Sequence, residues 1–181
     1  NEESRRVALL RSRLTKAIRN FLDGRGFIEV ETPVLTNQAS GALARPFQTH
    51  HNALDIDVYL RIAPETYLKR LVVGGFTHVY EIARNFRNEG ISPVHLQDFT
   101  MIEGYSAYWN YQDNMRLMKD MILHILQTVF GTYEIQIGDN LIDFSQEWPT
   151  VTFRELILQD AGLDINEYPD GKSLLAAIKS K

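Results

Sequence analysis

The spacing of apolar residues along the chain predicts a series of helices and strands. From Val7 to Leu22 an apolar residue recurs every three or four positions, which is the pattern of an amphipathic helix, and Gly24 ends it. The following run, 27–32, has the composition of a strand that Pro33 closes. The same criteria predict further strands at 58–62, 78–86, 99–105, 133–137 and 140–144, and further helices at 66–73, after Asn110, at 152–161 and from Asp170 onwards.

Two of these strands, 78–86 and 99–105, are joined by a polar stretch that contains Gly90 and Pro93. This arrangement is typical of an antiparallel hairpin with a long loop. Strands that are segregated from helices of different lengths favour the α+β class. We therefore expect an α+β domain with a largely antiparallel sheet that is flanked by helices.

The composition sets limits on function. The 181 residues include 19 Lys and Arg against 23 Asp and Glu, so the chain has no strong basic field that could hold nucleic acid by charge alone. The sequence contains no cysteine, which excludes disulfides, thiol nucleophiles and thiolate metal sites and favours a reducing compartment. No apolar run approaches the roughly 18 residues of a membrane span. We therefore expect a cytoplasmic protein without a membrane partner.

The hairpin carries the strongest chemical signal in the sequence. The common phosphate-loop, dinucleotide, zinc-protease and serine-hydrolase motifs are absent from the sequence. Alternation along each strand places an aromatic ring, a carboxylate and a phenol on one face of the second strand, and an arginine between carboxylates on a face of the first. These residues are Phe99, Glu103 and Tyr105 on the second strand, and Glu81, Asn85, Arg87 and Glu89 on the first strand and its extension.

Alternation alone leaves two interpretations of this charged face open. It is either a solvated sheet face with cross-strand ion pairs, or a pocket for a zwitterionic or phosphorylated ligand. In the second case Arg87 would clamp an anion with two hydrogen bonds, and Phe99 would stack on a ring. The carboxylates would then accept hydrogen bonds from amines.

Several runs of the sequence resemble the class II aminoacyl-tRNA synthetases. The run 84–92, Arg-Asn-Phe-Arg-Asn-Glu-Gly-Ile-Ser, with the downstream Phe-Thr-Met of 99–101, is similar to motif 2 of that class. The run 26–33, Gly-Phe-Ile-Glu-Val-Glu-Thr-Pro, is similar to motif 1. Within the class, the runs that resemble the lysyl-tRNA synthetases are 44–47, 49–55 and 59–65.

The resemblance implies a fold and a place in a longer catalytic domain. Motif 1 would occupy about 18–33 and motif 2 about 81–105. We expect an incomplete class II synthetase fold over 1–181, in which 145–181 begins a helical insertion and motif 3 is absent. In this family the part that includes motif 3 holds magnesium and the tail of ATP, so the isolated chain is expected to be inactive.

The resemblance also implies an ATP site around the hairpin loop. Arg87 would hold the α-phosphate of ATP together with the carboxylate of lysine, and would thus be the catalytic residue. Glu89 and His95 would lie on the ATP side, and the ring of Phe99 would stack on adenine.

A lysine site is implied next to it. Gly41 and Glu65 would receive the α-amino group, while Arg87 would bind the carboxylate. Glu103 and Tyr105 would shape the pocket near the end of the lysine side chain.

Further expectations concern partners. Motif 1 lies at the dimer interface in this class, so a homodimer through Phe27, Val30 and Pro33 is expected. Lysine, ATP and tRNA(Lys) would be the substrates of the full enzyme, and Mg²⁺ would be bound by residues outside this chain, which itself would hold no metal. Two other hypotheses are a non-enzymatic, synthetase-like module that dimerises or regulates, and a paralogue that lysylates a protein.

The chain departs from the family pattern in two places. It reads His-Leu-Gln-Asp-Phe at 95–99 where the family usually has His-Asn-Pro-Glu-Phe, which is expected to alter contacts with ATP. Gly104 stands where a larger apolar residue is common, and because it lies on the face opposite Glu103, we expect an effect on packing and none on chemistry.

Overall fold

The computed structural model describes residues 1–90 and 92–180, so that Ile91 in the hairpin loop and Lys181 lie outside the described residues. The chain forms two compact units, of which the first is Asn1–Thr132 and the second begins at Tyr133. Every residue that the sequence analysis assigns to ligand binding lies in the first unit.

Most of the elements of the first unit agree with the prediction. Its helices are α1 (Glu2–Gly24), α2 (Glu65–Val73) and α3 (Tyr111–Ile125), and α3 continues as a wider π-type turn over Leu126–Phe130. Its strands are β1 (Ile28–Glu29), β2 (Leu35–Thr36), β3 (Gln48–His51), β4 (Ile56–Leu60), β5 (His78–Phe86) and β6 (Asp98–Ser106). The prediction lacks β2 and β3, because β2 has two residues and β3 has no apolar residue to reveal it.

Helix α1 begins earlier than its apolar stripe indicates. The side chain of Asn1 caps it by accepting a hydrogen bond from the backbone N of Ser4 at 2.8 Å. Glu2 and Glu3 in the first turn interact favourably with the positive end of the helix dipole. Polar capping residues therefore extend the helix beyond the residues that it buries.

The hairpin of β5 and β6 is the centre of the first unit. Its strands pair antiparallel from His78 opposite Ser106 to Phe86 opposite Asp98, as predicted. Strand β1 adds to β5 in parallel, and a second, antiparallel sheet has the order β2-β4-β3. The described part of the chain thus confirms the α+β class and the prevalence of antiparallel pairing.

The strand predicted over 27–32 is shorter in the structure, where only Ile28–Glu29 pairs with β5. Shortly afterwards the backbone O of Thr32 accepts a hydrogen bond from Nη1 of Arg61 at 3.0 Å. The predicted strand is too long, because at Thr32 the backbone is hydrogen-bonded to a side chain and not to a neighbouring strand.

The main core lies between the even-numbered face of the hairpin and the helices α1 and α3. Its buried members are Phe21, Leu22, Phe27, Tyr80 and Met121, with Ile82 and Ile102 packed against them. The hydroxyl of Tyr80 donates to Asp23 Oδ1 at 2.9 Å, which satisfies the polar end of a fully buried ring. The candidate ligand-binding residues of the hairpin occupy the opposite, odd-numbered face, together with the fully buried Val79 and Ala83.

Gly104 lies on the core face of β6 and borders a cavity of about 260 Å³. A Cβ added there would lie 3.6 Å from Cβ of Tyr80 and 3.7 Å from Cε1 of Phe27, which is ordinary contact. We expect Gly104→Ala to raise the free energy of unfolding by about 0.5–1 kcal/mol, because alanine restricts the unfolded chain and fills part of the cavity. Urea unfolding in a Trp148→Phe background, followed by the fluorescence of Trp109, which packs on Phe27, measures this change.

The matched control for this prediction is Gly26→Ala. Gly26 has a φ of +78°, and no atom of the described residues lies within 4 Å of an added Cβ, so alanine would bring strain without contact. We expect it to lower the free energy of unfolding by about 1 kcal/mol. A loss of stability in Gly104→Ala as large as that in Gly26→Ala would contradict the packing described for β6.

The second unit contains a short hairpin and helices. Its elements in the described residues are β7 (Glu134–Ile137), β8 (Asn140–Asp143), α4 (Phe153–Ala161), a 3₁₀ turn at Ile165–Glu167, and α5 (Gly171–Lys179). The predicted helix at 152–161 is confirmed as α4, and a capping box opens it, since Thr152 Oγ1 accepts from the backbone N of Glu155 and Glu155 Oε2 accepts from the backbone N of Thr152. That 145–181 begins a helical insertion stays a prediction.

Candidate active site

The two faces of the hairpin carry the residues that alternation assigns to them. Arg84 donates to Thr100 Oγ1 at 3.3 Å and pairs with Asp98 at 2.7 Å, and all three occupy even-numbered positions. On the odd-numbered face, Nζ of Lys69 in α2 lies 5.8 Å from the centroid of the Tyr105 ring. Helix α2 therefore lies against the face that carries the candidate ligand-binding residues.

A cleft of about 310 Å³ opens where the hairpin loop begins. The residues predicted for the ATP site, Arg87, Glu89, His95 and Phe99, all line it. The guanidinium carbon of Arg87 lies 5.1 Å from the centroid of the Phe99 ring, so a cation and an aromatic face adjoin. A ligand with an anionic group and a planar ring fits this chemistry.

Hydrogen bonds to backbone oxygens hold Arg87 where the hairpin loop begins. The backbone N of Arg87 donates to the O of Gln97 at 2.8 Å, and its Nε donates to the O of Ile62 at 3.4 Å. Glu89 is held by the backbone N of Arg45, which donates to its Oε1 at 3.3 Å. Among the described residues, no carboxylate lies within ion-pair distance of the Arg87 guanidinium. Its charge is therefore available to a ligand.

Glu103 and Tyr105, which are predicted to shape the pocket near the end of the lysine side chain, lie further along the same face. The hydroxyl of Tyr105 donates to Glu103 Oε2 at 3.2 Å. Nζ of Lys69 forms an ion pair with Glu65, which lies one helical turn earlier in α2. The charges of Glu65, Arg87 and Lys69 all act on Glu103, so these groups form one electrostatic cluster.

The pKa values of this cluster show the effect of burial. Burial raises the pKa of Glu103; the negative charge of Glu65 also raises it, whereas the hydrogen bond from Tyr105 and the charges of Arg87 and Lys69 lower it. Burial and then the charge of Glu103 raise the pKa of Tyr105, so that the phenol remains a donor at neutral pH. An ammonium ligand would favour the ionised form of Glu103 and offset the cost of its burial.

Gly41 approaches the cluster from the loop between β2 and β3. Its φ is +87°, and an added Cβ would come within 3.0 Å of Cβ of Glu65 and 3.3 Å of Cβ of Ala63. Both the backbone conformation and the available space exclude a side chain. Gly41 thus allows the loop to approach Glu65, with which it is grouped in the prediction.

A buried ion pair adjoins this face and is missed by the sequence analysis. The side chains of Arg61 and Glu81 are each 5% exposed, and Nη1 of the arginine lies 2.6 Å from Oε1 of the glutamate. Arg61 also donates to the O of Arg84 at 2.9 Å and to Oγ1 of Thr32 at 2.9 Å, and that hydroxyl donates to Glu81 Oε2. The network joins Thr32, which follows β1, to Arg61, which precedes α2, and to Glu81 in β5.

Two residues of the hairpin loop that depart from the family pattern, Leu96 and Asp98, lie in different surroundings. Leu96 lines the cleft and is 70% exposed, so a ligand in the cleft would meet an apolar side chain there. Asp98 lies on the even-numbered face, where it pairs with Arg84. The shortened carboxylate is therefore turned away from the cleft, and Leu96 is the change that a ligand would contact.

The residues predicted to face a dimer partner differ in exposure. Phe27 is 5% exposed and stacks on His78 with ring centroids 5.1 Å apart. Val30 is partly exposed and Pro33 is exposed. Of the three, Val30 and Pro33 are the residues that a partner could reach, with Phe27 packed in the core behind them.

Within residues 1–90 and 92–180, no group of three His, Cys, Asp or Glu side chains is placed to hold a metal ion. None of the helices described above is long and apolar enough to cross a membrane.

Comparison with known proteins gives a family and several relatives. The family described as tRNA synthetases class II (D, K and N) matches residues 1–173. A lysine–tRNA ligase of Dehalococcoides mccartyi is 48% identical over 176 residues, which are 97% of this chain and 35% of the relative. The lysine–tRNA ligase of Clostridium perfringens is 49% identical over 181 residues, and that of Pelotomaculum thermopropionicum is 50% identical over 179 residues. These two matches cover 100% and 99% of this chain but 36% and 35% of the relatives, so the chain spans about a third of their length.

Proposed function

Because the chain belongs to the class II tRNA synthetases (D, K and N), we propose that it supplies lysine- and ATP-binding residues of a lysine–tRNA ligase. Membership of the family confirms the resemblance seen in the sequence, and the names of the relatives support lysine as the amino acid. The observation that carries the proposal is the position of Arg87, which lines the cleft beside Phe99 and also acts on the carboxylate of Glu103.

The pocket offers a partner to each charged group of lysine. Arg87 binds the carboxylate, since a guanidinium presents two parallel N–H groups to an anion. Glu65, beside Gly41, accepts hydrogen bonds from the α-amino group. Glu103 and Tyr105 receive the amine at the end of the side chain, where the buried carboxylate gains a counter-ion.

The proposed reaction is the formation of lysyl-adenylate. A carboxylate oxygen of lysine forms a bond with the α-phosphorus of ATP, the bond from that phosphorus to the bridging oxygen breaks, and pyrophosphate leaves with the electron pair. Arg87 stabilises the charge on the α-phosphate, and Phe99 fixes adenine by stacking, while Glu89 and His95 line the same cleft. Catalysis then consists of positioning and charge stabilisation, with little acid–base chemistry.

For the whole protein we propose transfer of the lysyl group to tRNA(Lys) in the cytoplasm. ATP is a substrate, and Mg²⁺, on which class II synthetases depend in general, would be held by residues other than those described here. A homodimer would form through the surface that includes Val30 and Pro33. The two other hypotheses, a non-enzymatic module and a protein-lysylating paralogue, are not favoured, because the relatives are named lysine–tRNA ligases.

The test is a thermal unfolding experiment on this chain with a non-hydrolysable lysyl-adenylate analogue. At about 100 times its Kd, the analogue is expected to stabilise the folded state by about 2.7 kcal/mol. This corresponds to a rise in Tm of about 10 °C for a unit of this size. A Trp148→Phe background leaves Trp109 as the fluorophore, so that the signal reports on the first unit.

The matching aspartyl-adenylate analogue is the control, because it contains the same nucleotide with a different amino acid. An equal rise in Tm with both analogues would mean that the chain binds the nucleotide and does not select lysine, which contradicts the amino-acid assignment. No rise with either would contradict a pocket formed by these residues.

A further inference from the structure

A cation of the chain itself lies in the pocket proposed for lysine. Lys69 forms an ion pair with Glu65, the carboxylate that we assign to the α-amino group. Its Nζ also lies 5.8 Å from the centroid of the Tyr105 ring, and its charge acts on Glu103. The side chains of Lys69 and Glu65 are 58% and 33% exposed, so the pair is accessible to solvent.

With Lys69 in this position, the charges of the four side chains balance. Glu65 and Glu103 are carboxylates, and Arg87 and Lys69 are cations. Lysine carries two ammonium groups and one carboxylate, so a pocket that matches it should offer one more carboxylate than cation. This excess of one carboxylate is provided by Glu65, Glu103 and Arg87, and the ammonium of Lys69 cancels it.

We propose that Lys69 is a placeholder for the α-ammonium group of the substrate. It neutralises Glu65 while the pocket is empty, and it leaves Glu65 when the ammonium of lysine binds there. The inference rests on the function proposed above. The exchange replaces one ammonium by another on the same carboxylate, and it requires only the rotation of a flexible, mostly exposed side chain.

The placeholder role differs from that of an ordinary ion pair along a helix. A pair that only stabilises α2 would be indifferent to a ligand, whereas Lys69 faces the Tyr105 ring of another element and pairs with a glutamate that lies next to Gly41. The next residue, Arg70, lies 5.1 Å over the ring of Tyr67 in its own helix. Neighbouring cations of α2 thus have different surroundings, which provides a matched control.

The experiment measures the Kd of the lysyl-adenylate analogue for the chain carrying Lys69→Met. We expect binding to become about two- to fivefold tighter, which is the range of exposed ion pairs, because the ammonium of the ligand no longer competes with Lys69. The gain in affinity should shrink at high salt, because salt screens ion pairs at exposed sites such as that of Lys69 and Glu65. A second analogue, in which hydrogen replaces the α-amino group, should show no gain, because it cannot replace Lys69 on Glu65.

Arg70→Met removes the same charge from the next position and is expected to leave both values of Kd unchanged. Lys69→Arg keeps a cation beside Glu65 and is expected to bind as the unsubstituted chain does. A gain that is confined to Lys69→Met and to the analogue with an α-amino group would support the placeholder.

The results separate this inference from the function on which it rests. If the unsubstituted chain prefers the lysyl to the aspartyl analogue but Lys69→Met binds no more tightly than Arg70→Met, the placeholder is overturned and the proposed function stands. If the unsubstituted chain shows no such preference, the proposed function fails and the placeholder falls with it.

Discussion

Arg61→Met is expected to lower the free energy of unfolding of the first unit by about 3–5 kcal/mol. The substitution leaves Glu81 without its partner at 2.6 Å, and because that carboxylate is 5% exposed, water cannot replace the guanidinium without opening the structure. The backbone oxygens of Thr32 and Arg84 also lose their donor. Since domains are stable by about 5–15 kcal/mol in total, this change would remove a large part of the stability.

Urea unfolding, followed by the fluorescence of Trp109 in the Trp148→Phe background, measures the loss. The control is Arg84→Met, which removes an arginine from an ion pair whose side chains are 55% and 48% exposed and should cost less than about 1 kcal/mol. The double variant Arg61→Met with Glu81→Leu should regain part of the stability, because no buried charge is left unpaired. Equal losses in Arg61→Met and Arg84→Met would show that the pair is not buried as described.

The elements with strong local signals could be predicted from the sequence. The helix α1 has an apolar stripe, and the hairpin has alternation on both sides of a polar loop, so that its pairing from His78 to Phe86 follows from the sequence. The length of β1 could not be predicted, because it depends on Arg61, a side chain from elsewhere in the fold, which binds the backbone of Thr32. Strand β3 is polar and forms because β4 provides a partner for it.

The candidate site was predictable only to the extent that alternation determines it. Arg87, Phe99, Glu103 and Tyr105 share one face of the hairpin because of their parity, and the structure adds that α2 lies against this face. The position of Lys69 depends on tertiary packing, to which a local pattern is blind. The pair of Arg61 and Glu81 did leave a signal, since each stands between apolar residues, Leu60 and Ile62 in one case and Tyr80 and Ile82 in the other.

The buried ion pair and the cleft are connected through the backbone before α2. The O of Arg61 accepts a hydrogen bond from the N of Phe86 at 3.0 Å, and the O of Ile62 accepts one from Nε of Arg87 at 3.4 Å. The segment that carries the buried arginine therefore also positions the candidate catalytic arginine. We therefore expect variants of Arg61 to lower both the free energy of unfolding and the affinity for the ligand. Variants of Arg87 should lower the affinity with little effect on the free energy of unfolding.

Arg87→Met is expected to weaken binding of the lysyl-adenylate analogue by about 30-fold or more. Truncation of one partner of a charged, hydrogen-bonded pair costs about 2–5 kcal/mol, and in our proposal Arg87 contacts both the carboxyl group and the α-phosphate of the ligand. The free energy of unfolding should change by less than about 1 kcal/mol, because no carboxylate of the described residues depends on this guanidinium as an ion-pair partner. Titration with the analogue, together with urea unfolding of the same variant, tests both statements.

Arg84→Met is again the matched control, since Arg84 stands three residues earlier, on the even-numbered face of β5, and should leave the Kd unchanged. Arg87→Lys should bind with intermediate strength, because an ammonium retains the charge but cannot present two parallel donors to a carboxylate or phosphate. Equal Kd values for Arg87→Met and Arg84→Met would remove Arg87 from the binding site. If Arg87→Lys bound as tightly as the unsubstituted chain, charge alone would account for its role, and the two-pronged contact with the ligand would be rejected.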